Sequence, residues 1–174
     1  CVLDCRQGEN NMAAQGLHTS YFPAIHQRLV AIGDRSFLLV WDRITHMPAD
    51  TKVEIWYNAN TLTAVLQSDG TVATHDDVNL CLRASEGLDV DFQPGVISEH
   101  VDEVRPSTRI RLTDRRSAPG TRDYLSVIVP YRTDCPQISS IRMEDDGRSA
   151  LFSIGERRCR CRWQIDEFHL EILP

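Results

Sequence analysis

The chain has 174 residues, of which 25% are charged and 41% hydrophobic, and its formal net charge is −6. That length and balance fit one globular domain with a core of its own, not a disordered segment or a small scaffold that needs staples. The acidic total argues against a general nucleic-acid binder, and no apolar run approaches the roughly 18 residues required to span a bilayer.

Residues 1–20, CVLDCRQGENNMAAQGLHTS, are poor in strand formers, so an irregular or extended N-terminal segment is expected there. A single β-sandwich domain is expected over 21–174. Gly33-Asp34-Arg35 has turn composition, and SFLLVWDRI (36–44) behind it is a dense run of strand-favouring residues. KVEIWYN (52–58) alternates Val53, Ile55 and Tyr57 against Glu54 and Trp56. LTAVLQ (62–67) leads into Asp69-Gly70, a strong hairpin-turn signal. Further strands are expected at VNLCLRA (78–84), LDVDF (88–92), STRIRLT (107–113), YLSVIVP (124–130) and ALFSI (150–154). RSAPGTRD (116–123) is a loop around Pro119-Gly120, and QISSIRM (137–143) precedes a second Asp-Gly turn in EDDGRS. No window carries an i, i+3, i+4, i+7 apolar face. The fold class is therefore all-β: an antiparallel β-sandwich of many short strands, supersandwich-like and two layers deep.

RRCRCRWQ (157–164) sorts by parity. Cys159, Cys161 and Trp163 share one face of a strand, and Arg158, Arg160 and Arg162 share the other. Such an arginine row, with Arg157 and with Arg142 or Arg148 nearby, has the forked donors that bind carboxylated or sulfated chains. Arg158, Arg160 and Arg162 are thus the candidate contacts for an acidic polysaccharide. A solvated face of long amphipathic stems is the simpler account.

Six cysteines stand at 1, 5, 81, 135, 159 and 161. An even count permits disulfides and is compatible with export, while buried free thiols are the competing reading. No paired C-x-x-C occurs, so neither a metal nor any other cofactor is expected. Cys159 and Cys161 are next-but-one on a strand, roughly 6.5–7 Å apart, too far for a bond between them. The histidines, at 18, 26, 46, 75, 100 and 169, form no H-x-H or H-x-x-x-H pair. A dispersed metal set would draw on His26, Asp42 and His75, though ordinary hydrogen-bonded or exposed histidines explain the pattern more simply. The acidic pairs Asp76-Asp77, Asp89/Asp91 and Asp145-Asp146 offer the two carboxylates of glycosidase chemistry, or plain solvated turns and strand faces. There is no G-x-S-x-G. Cys1 as a nucleophile would need its own freed α-amino group as base, and a processing boundary accounts for it more readily.

YFPAIHQRLVAIGDRSFLLVWDRI (21–44) places His26 and Arg28 before a Gly33-Asp34 turn, then an apolar strand closing on Asp42-Arg43-Ile44. This resembles the H-x-R … L-V-V-D-R-I segment in the C-terminal β-sandwich of the heparinase II/III-like polysaccharide lyases. VEIWYNAN (53–60) and DYLSVIVPYR (123–132) extend the likeness over roughly residues 15–135. The resemblance implies an enzyme that cleaves uronic-acid polysaccharides by β-elimination. In that family a base removes the C5 proton, a polar side chain neutralises the carboxylate, and a tyrosine protonates the leaving oxygen. The family's catalytic Asn and Tyr lie in an N-terminal helical toroid, and its histidines lie in an upstream H-x-H-x-D-x-G motif. None of these motifs occurs here, so no catalytic residue is carried over. His26, Arg28, Asp42 and Arg43 match positions that look structural in the family, with Asp42 pinning a strand end through Arg28 or Arg43. The implied protein is a non-catalytic scaffold or cleft wall, partnered by an upstream helical catalytic domain of the same protein. It would be secreted or periplasmic, with the cytoplasm left open, and would engage neither nucleic acid nor membrane. The alternative is a free-standing carbohydrate- or protein-binding sandwich without enzymatic activity.

Overall fold

The computed structural model describes residues 2–7, 11–76, 79–100, 103–116, 118–144, 148–164 and 167–173. Fifteen strands and no helix occur among them. In chain order they are β1 (Val2–Gln7), β2 (Met12–His18), β3 (Ile25–Gly33), β4 (Phe37–Met47), β5 (Val53–Ala59), β6 (Val65–Leu66), β7 (Val72–Ala73) and β8 (Asn79–Ala84). Then come β9 (Asp89–His100), β10 (Glu103–Asp114), β11 (Gly120–Tyr131), β12 (Arg142–Met143), β13 (Ser149–Ile154), β14 (Arg157–Gln164) and β15 (Glu167–Leu173). Every pair of neighbouring strands is antiparallel. The all-β sandwich is therefore the observed class. Several strands are long, however, reaching 12 residues in β9, β10 and β11.

The strands form three sheets: a central one ordered β1-β2-β3-β4-β11-β8-β7-β6, a three-stranded one ordered β5-β10-β9, and a four-stranded one ordered β12-β13-β14-β15. Side-chain parity stacks them. Phe37, Leu39 and Trp41 of β4, Leu125, Val127 and Val129 of β11, and Cys81 of β8 pack in one core with Phe152, Cys159, Cys161 and Trp163 of the four-stranded sheet. The opposite parity, including Tyr124 of β11 and Leu82 of β8, packs in a second core with Val53, Ile55, Ile110 and Leu112 of the three-stranded sheet. Two layers were expected, and three are present. The runs SFLLVW and YLSVIV carry apolar residues on both parities because both faces of the central sheet are covered.

The Gly33 turn forms as expected, but with Asp34 (φ 46°) and Arg35 (φ 51°) as the left-handed pair and a Ser36 N–H to Gly33 carbonyl bond of 3.0 Å. Three residues, Asp34 to Ser36, connect β3 to β4, and the first two carry the positive φ values of this hairpin turn. Asp69-Gly70 also turns the chain, joining β6 to β7 with Gly70 at φ 86°. Residues 1–20, expected to be irregular or extended, contain β1 and β2, which pair as the outer two strands of the central sheet. β11 begins at Gly120, so the 116–123 loop is shorter than expected. The second Asp-Gly turn, at 146–147, lies outside the described residues.

Candidate binding groove

β14 alternates as its parity dictates. Cys159, Cys161 and Trp163 are buried, and Trp163 meets Trp41 edge-on with ring centroids 5.9 Å apart. Arg158 and Arg162 are exposed and Arg160 half-buried on the outer face. Carboxylates interleave with them: Arg160 pairs with Glu144 at 3.1 Å and stands across from Glu171 on β15. Arg162 donates to the Ser149 hydroxyl at 3.3 Å and stands across from His169. Arg157 is tied to Asp34 at 2.9 Å. The row is a mixed-charge sheet face, not a purely cationic track.

The four residues of the H-x-R … D-R pattern divide between the two faces of the central sheet. Arg28 on β3 stands opposite Asp42 on β4 and grips it with two bonds, Nε to Oδ1 at 2.6 Å and Nη2 to Oδ2 at 3.0 Å. His26 Nε2 lies 2.6 Å from the same Oδ1. The Asp42 side chain is only 1% exposed. Tyr57 sits beside it, close to Ser126 and Arg28, and burial together with the Asp42 charge pushes its phenol above the usual range. Burial is the largest single influence and opposes the Arg28 charge, but the hydrogen bonds it donates to Asp42 and that carboxylate's charge together outweigh it and hold the guanidinium above its ordinary value. Arg43 has the other parity. It donates to Asp123 at 2.8 Å, as the Trp41 indole does at 2.9 Å, and its guanidinium lies 5.0 Å from the Trp163 ring centre. Burial pushes the Asp123 carboxyl upward against these two donors. Asp42 is thus pinned through Arg28 and His26, and Arg43 serves a different carboxylate.

His26 and Arg28 open onto a groove of about 620 Å³ that runs along β5, the edge strand of the three-stranded sheet. Its walls include Tyr21, Phe22, Met47, Lys52 and Trp56. The β2–β3 turn, closed by an Ala24 N–H to Tyr21 carbonyl bond of 2.9 Å, carries Tyr21 and Phe22 outward, 64% and 91% exposed. Trp56 lies under the guanidinium groups of Arg109, 4.2 Å from the ring centre, and Arg111, 5.5 Å. A neighbouring hollow of about 300 Å³ shares Tyr21, His26 and Arg28, and another of about 380 Å³ shares Thr51 and Lys52. The groove thus shares lining residues with both hollows; Arg28 and Lys52 in their walls are paired with Asp42 and Glu54, while the exposed rings of Tyr21 and Phe22 offer faces suited to a sugar chain.

The remaining sequence candidates do not assemble into a site. Asp89 and Asp91 line the third hollow, but each is paired, with Arg115 at 2.7 Å and with Arg111. Lys52, Gln93 and Arg111 lie around Glu54 and Asp91 and hold both carboxyls below their ordinary values, led in each by a hydrogen bond from Lys52 and Arg111 respectively. His75 is exposed beside Thr63 and takes no part in the groove wall. No three His, Cys, Asp or Glu side chains group as a metal site among the described residues. Cys1, Asp77 and Asp145-Asp146 lie outside them. Tyr21, Phe22 and Trp56 were not singled out from sequence. The available signals were apolar residues in a turn and a tryptophan sharing the parity of Glu54.

No protein-family model and no curated protein sequence matches the chain. Solved structures do. The heparan sulfate lyase HepC from Pedobacter heparinus matches with a TM-score of 0.76 and 19% identity, over 100% of this chain and 28% of that one. The BT4657 heparinase III matches with a TM-score of 0.79 and 15% identity, over 99% of this chain and 27% of that one. A further heparinase III matches with a TM-score of 0.74 and 19% identity. The fold is thus that of a β-rich portion of heparinase-type lyases, and this chain spans little more than a quarter of their length.

Proposed function

We propose that the chain is the sandwich portion of a heparinase II/III-like polysaccharide lyase, where it acts as scaffold and as one wall of the substrate cleft. The observation that carries this reading is the coincidence of two independent signals. The whole chain superposes on a limited part of known lyases, and its H-x-R … D-R segment folds into the His26–Arg28–Asp42 pin. β-Elimination needs a base and an acid within hydrogen-bond reach of the substrate. Here both oxygens of Asp42 are occupied by Arg28 and His26, and the Tyr57 hydroxyl is buried, outside the groove wall. We assign the working acid and base to an upstream helical domain of the same protein, which we expect to be secreted or periplasmic.

The groove, not the arginine row, is the wall we assign to an acidic polysaccharide. In the intact lyase, Phe22→Ala and Trp56→Ala should raise KM about tenfold with kcat within twofold, the mark of lost uniform binding. Unchanged KM in both would remove the groove from the cleft. The exposed Tyr21–Phe22 pair favours one second reading, a free-standing carbohydrate-binding sandwich. That module would bind a polysaccharide in isolation and have no catalytic domain in its gene product.

A further inference from the structure

Two thiols meet where the central sheet hands the chain over to the four-stranded sheet. Cys81 lies on β8 and is fully buried, whereas Cys135, between β11 and β12, is partly exposed. Their sulfurs share one acceptor: Cys81 Sγ is 3.8 Å and Cys135 Sγ 3.9 Å from the Pro136 carbonyl oxygen. Cys81 belongs to the core between these sheets, and Cys135 and Tyr131 pack against that same core. Both cysteines are reduced in this structure. Cys159 and Cys161 differ, being next-but-one neighbours on a strand whose pleat holds them too far apart for a bond.

We propose that Cys81 and Cys135 close into an intramolecular disulfide by exchange with a small-molecule or protein disulfide. The Cys135 thiolate attacks one sulfur of that oxidant, forming a mixed disulfide and releasing one thiolate. Cys81 then loses its proton and attacks the Cys135 sulfur, expelling the second thiolate. Two protein S–H bonds are lost and one S–S bond forms; the oxidant is reduced to two thiols, which take up both protons. Exposure sets the order. Burial pushes the Cys81 thiol up to about 12, so it is the partly exposed Cys135 that reacts first. The new bond would enclose β9, β10 and β11 in a covalent loop and limit the freedom of the unfolded chain.

The test uses the complete chain, equilibrated with reduced or oxidised glutathione and digested with trypsin without reduction. Peptide 53–83 should be found joined to 133–142 after oxidation, with Tm about 5–10 °C above the reduced form. Cys135→Ser, at a partly exposed position, should keep the fold and lose both effects; Cys81→Ala provides the reciprocal variant. The proposal is overturned if the two peptides stay separate in the oxidised wild type. It is equally overturned if the link forms to any other cysteine, or if the Tm rise survives in Cys135→Ser. None of these outcomes bears on the lyase reading.

Discussion

Two buried aspartates show how differently single residues declare themselves. Asp114 is fully buried and accepts the Tyr124 hydroxyl at 2.7 Å, the Arg116 backbone N–H at 2.9 Å, the Arg116 side chain at 2.7 Å and the Arg122 guanidinium at 3.3 Å. Burial alone would raise its carboxyl; the bonds from Arg116 and Tyr124 win and bring it down to about 2, from an ordinary 3.8. A carboxylate depressed in the folded state contributes stability that is complete above about pH 4 and is lost as the pH falls through 2. We expect that contribution to be about 1–2 kcal/mol, the lower end reflecting solvent screening of the half-exposed Arg116. Asp114→Asn strands the buried Arg122 and should cost about 3 kcal/mol at pH 7. Thermal melts between pH 7 and 2 check both points: wild type should keep its full advantage over the variant down to about pH 4 and give up about 1–2 kcal/mol of it toward pH 2, and a constant gap would contradict the assignment. Asp42 was legible because it stands in an ordered pattern with His26 and Arg28. Asp114 was not, since it ends β10 and its partners come from the following loop (Arg116) and from the start of β11 (Arg122 and Tyr124), a junction that no periodicity encodes.

At the scale of elements, alternation made strands legible wherever one face is buried and the other wet. β14 is the clearest case, and β5 separates Val53 and Ile55 from Glu54 and Trp56 in the same way. The outer halves of β9 and β10 were missed because they pair only with each other beyond the reach of β5, leaving Val96 and Val104 67% and 66% exposed. Without a buried face there is no apolar period to read. At Gly33 the central sheet and β15 approach closely: an added Cβ would fall 2.5 Å from the Phe37 ring on the next strand and 2.7 Å from Leu170 Cδ2. Gly33→Ala should therefore destabilise by about 1–3 kcal/mol in urea unfolding, and a neutral result would mean the two sheets yield more readily than this contact implies. The arginine row is an element-scale question too. Replacing Arg158, Arg160 and Arg162 with Gln should leave salt-dependent retention on heparin within about a factor of two, because Glu144 and Glu171 already offset the row. A collapse of retention would restore it as a ligand site.

At the scale of the whole molecule, the third layer was the part of the fold hardest to foresee. Apolar runs on both parities of β4 and β11 signal a sheet covered on each side, but they do not say which strands supply the covers. Those covers come from β5, β9 and β10 on one side and from the last four strands on the other, so the central sheet is framed by pieces distant in sequence. The three-stranded cover stops short of β3, where Val30 and Ile32 remain 37% exposed, and the groove opens beside that margin. Groove residues were illegible for this reason: Phe22 and Trp56 come together only after the layers have stacked. This architecture is the basis on which we propose that the chain shapes one wall of a cleft and that another domain supplies the chemistry. The most direct test compares this chain with the intact gene product on heparan sulfate, alginate and hyaluronan, following ultraviolet absorbance of the unsaturated uronate. The intact protein should cleave one of these polymers and the folded chain none, whereas turnover by the chain alone would contradict the account.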